Sequence, residues 1–74
     1  MAKLPRISGI EAVKAFNKAG WFVARQTGHT IMVKHSSVVT LSVPRHKELD
    51  RGTLRKLIKF AGLTVDEFVE LLQR

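Results

Sequence analysis

Residues 21–43 read WFVARQTGHTIMVKHSSVVTLSV, and this stretch decides the fold. It is rich in β-branched and aromatic residues, which favour extended strands. Two short turn signals, Thr27-Gly28 and Ser36-Ser37, divide it into three predicted strands at 21–26, 30–35 and 38–43. Because the connections are tight, we expect an antiparallel meander whose third strand alternates between a covered and an exposed side.

Helical patterns flank the strands on both sides. Ser8 and Glu11 form a capping box, and the helix that they open is predicted to run to about Ala19, with Gly20 after it. Asp50 caps a second predicted helix, which Gly62 ends. Its apolar residues recur at the spacing of one helical face: Leu54, Leu57, Ile58 and Ala61.

A second capping box, Thr64 with Glu67, begins a third helix. The order of elements is therefore α-β-β-β-α-α. Sequential antiparallel strands with helices on both sides in sequence predict a two-layer α+β fold: a three-stranded antiparallel sheet with the helices on one face. The length predicts a single domain over residues 1–74.

The composition excludes several classes of protein. A chain of 74 residues buries only about 60% of its unfolded surface, which leaves no room for a separate cofactor domain. The absence of cysteine excludes a disulfide framework, a thiolate nucleophile and cysteine-ligated zinc. The first ten residues contain no long apolar run, so we expect neither a signal peptide nor a membrane span. These features predict a small, soluble, cytoplasmic domain without a cofactor.

Basic residues are concentrated in the first two-thirds of the chain. Residues 1–47 contain eight Lys or Arg and one acid, Glu11, for a net charge of +7, whereas residues 48–74 are neutral as a whole. A concentrated positive field attracts polyanions. We therefore favour contact with nucleic acid over a merely solvated lysine surface. Membrane binding is less favoured, because no helix combines a strongly apolar face with a basic one.

His29 is the strongest candidate for chemistry among the three histidines. It follows the Thr27-Gly28 turn and lies between Arg25 and Lys34 in the sequence. Imidazole exchanges protons near neutral pH, so it can take one from a ribose 2′-hydroxyl or give one to the leaving 5′ oxygen. RNA supplies its own nucleophile, and basic side chains can bind the phosphate, so this reaction needs no metal. A lone histidine is more often structural, and the sequence leaves both interpretations open.

The orientation of the histidines is also open. His29 is separated from Ile31 and Val33 by an even number of residues, so in a regular strand the three side chains point to the same face. If that face is the core, His29 must lie at its rim. His46, in the loop after the third strand, suits phosphate contact, a second acid/base role or bonding to nearby backbone. His35 is interpreted as a surface residue.

Seven short motifs occur in order along the chain: Gly20-Trp21, Arg25-Gln26, Gly28-His29, Val43-Pro44-Arg45-His46, Gly52-Thr53-Leu54, Ala61-Gly62-Leu63 and Glu67-Phe68. This set resembles the HicA toxins, the small mRNA interferases of HicAB toxin–antitoxin systems. The resemblance covers nearly the whole chain from Ile10 onward. Many members have Gly-Ser-His at the active turn, whereas here Gly28 is followed directly by His29.

The resemblance implies a fold like that of the double-stranded-RNA-binding domain and endonucleolytic cleavage of mRNA, with His29 as the catalytic residue. Together with the charge pattern, it predicts RNA contact at Arg25, Gly28, Lys34, Arg45, His46 and Lys47. It also implies a HicB-like antitoxin that blocks the active site, so we expect a monomer alone and a hetero-oligomer with the antitoxin. Two alternatives stay open: a non-catalytic RNA-binding module of the same fold, and a domain whose positive face binds an acidic protein.

Overall fold

Three helices and three strands follow one another in the predicted order. The computed structural model describes residues 3–74. Its elements are α1 (Gly9–Lys18), β1 (Phe22–Gln26), β2 (His29–Val33), β3 (Leu41–Pro44), α2 (Arg51–Phe60) and α3 (Val65–Gln73). The order α-β-β-β-α-α and the α+β fold like that of the double-stranded-RNA-binding domain are confirmed.

The strands form one antiparallel sheet in the order β1-β2-β3, so β2 is central and β1 and β3 are its edges. The core lies between one face of this sheet and the helices. Phe16 of α1 and Phe68 of α3 meet there with their ring centroids 5.0 Å apart, and both are fully buried. Trp21 and Met32 are among the large buried side chains on the sheet side. The other face of the sheet is left open.

The predicted helix caps are present in the structure. The Ser8 hydroxyl accepts a hydrogen bond from the Glu11 amide at 3.1 Å, and the Ser8 amide donates to Glu11 Oε1 at 3.0 Å. Thr64 and Glu67 repeat this reciprocal pair, and Asp50 caps α2. Gly20, which follows α1, has a φ of 99°, in the left-handed region that glycine enters without a steric cost.

The strands are shorter or shifted relative to the predicted ranges. β2 begins at His29 and ends at Val33, and β3 begins at Leu41 rather than at residue 38. The turn explains the difference: Ser36 adopts a φ of 66°, and the Val39 amide donates to the Ser37 hydroxyl at 3.2 Å. That local bond takes the Val39 amide away from a strand ladder. The prediction that the third strand covers 38–43 is therefore wrong at its first three residues.

The segment before α1 packs into the core, which the sequence did not indicate. Leu4 and Ile7 are both buried. The Ile7 carbonyl accepts a hydrogen bond from the Leu49 amide at 2.7 Å, and the Gly9 amide donates to the His46 carbonyl at 2.9 Å. These bonds attach the loop after β3 to the start of α1. They hold the backbone around His46 in place.

One lysine connects the end of α1 with the end of α3. Lys18, in the last turn of α1, donates through Nζ to the carbonyl oxygens of Leu71 and Arg74. These carbonyls are at the end of α3, where helical carbonyls have no intrahelical partner. A cation at that position also balances the helix dipole. Lys18 is thus a structural residue that stabilises the packing of α1 on α3.

Leu57→Ala is expected to lower the free energy of unfolding by about 2–5 kcal/mol, because Leu57 is 6% exposed and part of the core. Urea unfolding followed by the fluorescence of Trp21, the single tryptophan, measures this change. Val38→Ala is the control: Val38 is fully exposed, and we expect a change within about 0.5 kcal/mol. A Leu57→Ala protein that unfolds at the parent's urea midpoint would place Leu57 outside the core.

Candidate functional site

His29 is the first residue of β2 and is exposed to solvent. It follows the two-residue loop Thr27-Gly28, and the Thr27 amide donates to the His29 carbonyl at 3.1 Å. Across the sheet, His29 pairs with Pro44, the last residue of β3. This pairing fixes the backbone of His29 between the β1–β2 loop and the start of the loop that follows β3.

The alternation along β2 determines which way His29 faces. Thr30 and Met32 are buried, whereas Ile31 and Val33 are only half-buried and His29 is exposed. The core side of β2 is therefore the side of Thr30 and Met32. His29 lies with Ile31 and Val33 on the open face of the sheet. The sequence required His29 to lie at the rim of the core only if the face of Ile31 was the core. That face is open, so the condition is not met.

A β-bulge in β1 brings Arg25 to the same face. Val23 pairs with Met32 and Arg25 pairs with Ile31, so two residues of β1 advance against one residue of β2. Without this extra residue, Arg25 would lie opposite Thr30 and turn toward the core side. Bulges commonly redirect a side chain in this way. Because His29 is two residues from Ile31, Arg25 and His29 are diagonal neighbours, with about 7–8 Å between such positions.

The loop after β3 contributes further exposed basic groups. Arg45, His46 and Lys47 directly follow Pro44, the residue opposite His29, and all three are exposed. The Gly9 amide holds the His46 carbonyl, so bonding to nearby backbone does occur at His46, through the main chain. The imidazole of His46 stays exposed to solvent. The structure thus brings Arg25, His29 and the start of this loop to one end of the sheet.

Lys34 is not part of this group. It follows the far end of β2, five residues from His29, which is about 17 Å along a strand at about 3.4 Å per residue. It is half-buried, and its ammonium lies 5.9 Å from the centroid of the Trp21 ring. This contact is a cation–π interaction with a core side chain. RNA contact by Lys34 stays a prediction, and its position does not bring it to His29.

Gly28, at the tip of the hairpin loop, is exposed and has an ordinary backbone conformation, and an added Cβ would meet nothing within 4 Å. Gly28→Ala is therefore expected to keep the folding free energy or to raise it by up to about 1 kcal/mol. Urea unfolding measures this. A loss of RNA binding by this folded variant would report close approach of RNA to the loop. A destabilisation above about 1 kcal/mol would contradict the open position of Gly28.

The acidic residues of α3 serve the helix itself. Glu67 belongs to the capping box with Thr64, and Glu70 accepts a hydrogen bond from Arg74 at 3.0 Å. Over residues 3–74, no group of three or more His, Cys, Asp or Glu side chains is arranged to hold a metal ion. Within the same range, no helix has the length and apolar character needed to cross a membrane.

The net charges of residues 1–47 and 48–74 do not show that one helix, α2, is basic. Residues 48–74 are neutral as a whole, yet α2, with the sequence RGTLRKLIKF, contains four basic residues and no acid. The acids of that part lie before α2 or in α3. A count per element, rather than per region of the sequence, would have revealed a basic helix. All four basic residues of this helix are exposed: Arg51, Arg55, Lys56 and Lys59.

Comparison with known proteins identifies the family. No curated protein and no solved structure matches the chain. The family model described as the HicA toxin of bacterial toxin–antitoxin systems matches residues 9–63, well over half of the 74 residues. The matched range contains β1, β2 and β3 and therefore the turn that carries His29. The chain belongs to the HicA toxin family, and it is the toxin component of a toxin–antitoxin system.

Proposed function

We propose that this toxin is an endoribonuclease that cleaves mRNA without a metal ion and thereby inhibits translation, with His29 as the catalytic acid/base. The observation that carries the proposal is the exposure of His29 on the open sheet face, with Arg25 turned to that face by a bulge. An imidazole and a guanidinium at diagonal positions on one sheet face provide a proton acceptor and a phosphate ligand. The membership of the HicA family supports this assignment.

His29 begins the reaction by removing the proton of a ribose 2′-hydroxyl. The 2′ oxygen attacks the adjacent phosphorus, the bond from phosphorus to the 5′ oxygen breaks, and the 5′ oxygen takes up a proton. The products are one strand that ends in a 2′,3′-cyclic phosphate and one that begins with a 5′-hydroxyl. No external nucleophile or oxidant enters, because the bond that forms and the bond that breaks are both on the substrate phosphate.

Arg25 offsets the negative charge that grows on the phosphate during this step. Its guanidinium presents donors in a planar fork that matches two phosphate oxygens. Arg45 and Lys47, at the start of the loop after β3, are close enough in the chain to Pro44 to bind neighbouring phosphates. Gly28 leaves the tip of the hairpin loop bare, which lets the RNA backbone approach the backbone next to His29.

The proton for the leaving 5′ oxygen comes from a second donor, since His29 has just taken one on the other side of the phosphate. His46 has an exposed imidazole on a backbone that is held in place, and water is the other source. The pH dependence of cleavage by His46→Ala separates them. A general acid makes the cleavage rate decline at high pH, because it must be protonated to act. If His46→Ala removes this decline, the donor is His46, whereas an unchanged profile assigns the role to water.

A non-catalytic RNA-binding module is the second candidate function. One observation favours it: over residues 3–74, no hydrogen bond from another side chain orients the His29 ring. General bases are often oriented by such a partner. The same fold binds duplex RNA through shape and phosphate contacts alone. This alternative predicts salt-sensitive RNA binding with no turnover, and it makes His29 dispensable.

The family implies an antitoxin partner. We propose that a HicB-like antitoxin covers the open sheet face and the basic loop, that the toxin alone is a monomer, and that the pair is a hetero-oligomer in the cytoplasm. A protein that covers this face must present acidic groups to Arg25 and apolar groups to Ile31 and Val33. Such a complex excludes RNA from His29 by steric overlap.

Induced expression in a bacterial host tests the proposed function. We expect the parent to arrest growth and to deplete full-length mRNA, and His29→Ala to do neither at the same protein level. Co-expression of the antitoxin restores growth to cells with the parent. Growth arrest by His29→Ala with intact mRNA would instead favour the RNA-binding module, and no arrest by well-expressed parent would contradict the toxin activity.

A further inference from the structure

A groove lies beside the edge of the sheet, between β3 and α2. It has a volume of about 250 Å³ and is lined by Thr40, Ser42, Thr53, Lys56, Leu57 and Phe60. Pockets for drug-sized ligands have volumes of about 300–1,000 Å³, so this groove suits a smaller group. None of these six residues belongs to the site at His29.

The chemistry of the groove is typical of single-stranded nucleic acid binding. Phe60 is 57% exposed, which is unusual for a large aromatic side chain in a domain of this size. Lys56 lies four residues before Phe60, so both side chains are on the same side of α2. Three hydroxyl groups, those of Thr40, Ser42 and Thr53, line the remaining wall. An aromatic face next to a cation is the combination that stacks a base and binds its phosphate.

The charge around the groove favours an anionic occupant over a purely apolar one. Its six lining residues include one basic residue and no acid. The helix that forms one wall, α2, contains no acid. Leu57 and Phe60 form an apolar part of the lining, and Lys56 lies beside them. An apolar flat ring next to a negative charge is the pattern of a base and its phosphate, whereas a purely apolar protein segment would leave Lys56 without a partner. The occupant that fits all of these groups is one nucleotide of a single strand.

The register of the sheet connects the groove to His29. Ser42 pairs with Ile31, and Pro44 pairs with His29. Ser42 is therefore a diagonal neighbour of His29 on the open face, about 7–8 Å away by sheet geometry. A strand of RNA that leaves His29 across Ser42 passes around the edge of the sheet and enters the groove next to Phe60.

We propose that this groove is a nucleotide-binding subsite of the toxin, in which a base of single-stranded RNA stacks on Phe60 and its phosphate binds Lys56. The inference rests on the proposed ribonuclease function, since it assigns the subsite to the same RNA strand that His29 cleaves. The subsite holds the substrate in register and does not take part in the bond-breaking step. It makes a single strand the preferred substrate over a duplex, because a paired base cannot stack on Phe60.

Fluorescence anisotropy with a labelled single-stranded RNA of mixed sequence tests the subsite. All variants carry His29→Ala so that the probe stays intact. Phe60→Ala and Phe60→Leu are expected to raise the Kd about 5- to 150-fold, and Phe60→Tyr to restore the parent value. Ile10→Ala is the matched control, because Ile10 is 60% exposed on α1, and its Kd is expected to stay unchanged. Equal binding by Phe60→Leu and the parent would overturn stacking.

Steady-state cleavage separates this inference from the proposed function. With His29 intact, Phe60→Ala is expected to raise KM and to leave kcat nearly unchanged, as for a residue that contributes binding alone. If the parent cleaves RNA but Phe60→Ala changes neither Kd nor KM, the subsite is wrong and the function stands. If the parent cleaves no RNA yet Phe60→Ala weakens binding, the function is wrong. Loss of antitoxin binding with unchanged RNA binding would overturn the subsite in favour of a protein-docking groove.

Discussion

His29→Ala is expected to lower the rate of RNA cleavage about 100- to 10,000-fold, the range that a positioned general acid or base contributes. The fold is expected to survive the change, because His29 is exposed to solvent. The loss therefore belongs in kcat, with a smaller change in KM. Single-turnover cleavage of a labelled RNA with excess protein measures the chemical step directly.

His35→Ala is the matched control for this experiment. His35 is also exposed, but it lies beyond the far end of β2, where its ring meets Phe22 at a centroid distance of 6.1 Å. We expect this variant to cleave RNA at the parent's rate. Equal losses in the two histidine variants would show that the rate reports the general charge or fold of the protein. Full activity of His29→Ala would remove His29 from the mechanism.

Gly9→Ala is expected to be the most damaging of the five Gly→Ala changes. Gly9 begins α1 and is buried, and a Cβ there would overlap the Pro44 carbonyl oxygen and lie 3.1 Å from the Pro44 carbonyl carbon. Both neighbours are backbone atoms, so no side chain can rotate away. Alanine is the better helix former, so propensity alone predicts stabilisation. We expect the overlap to prevail and to lower the free energy of unfolding by about 3 kcal/mol or more.

Gly28→Ala is the control, because it makes the same chemical change where nothing lies within 4 Å. Urea unfolding followed by Trp21 fluorescence compares the two variants. Gly9→Ala is also expected to lose RNA cleavage, since Pro44 pairs with His29 and leads into Arg45. A Gly9→Ala protein as stable as the parent would show that α1 does not approach the end of β3 this closely.

Local patterns in the sequence were enough to predict the elements. Capping boxes at Ser8 and Thr64 and the turn signals between strands each depend on residues within a few positions of one another. Their energies are local, so they are readable without the fold. The end of the third strand at Pro44 follows for the same reason. Its beginning was misplaced because the Ser37 hydroxyl captures the Val39 amide, a competing local bond that β-propensity does not reveal.

The arrangement around His29 depends on the register between strands. The bulge between Val23 and Arg25 has no glycine or proline to mark it, and it alone turns Arg25 to the open face. The sequence showed that His29, Ile31 and Val33 lie on one side of β2 and that Thr30 and Met32 lie on the other. Only the structure shows that the side of Thr30 and Met32 faces the helices. The candidate residues near His29 could be chosen by sequence neighbourhood. The separation of Lys34 from His29 could also be predicted, because the predicted strand at 30–35 is extended and five residues of it span about 17 Å.

Cleavage of a long single-stranded RNA by the purified protein in EDTA tests the central claim most directly. The same sequence made with 2′-O-methyl ribose, which lacks the nucleophile, is incubated beside it, and the ends of the products are identified. We predict cleavage of the unmodified RNA to 2′,3′-cyclic phosphate and 5′-hydroxyl ends, with the methylated RNA intact. Cleavage of the methylated RNA, or activity that EDTA removes, would contradict a metal-independent attack by the 2′ oxygen.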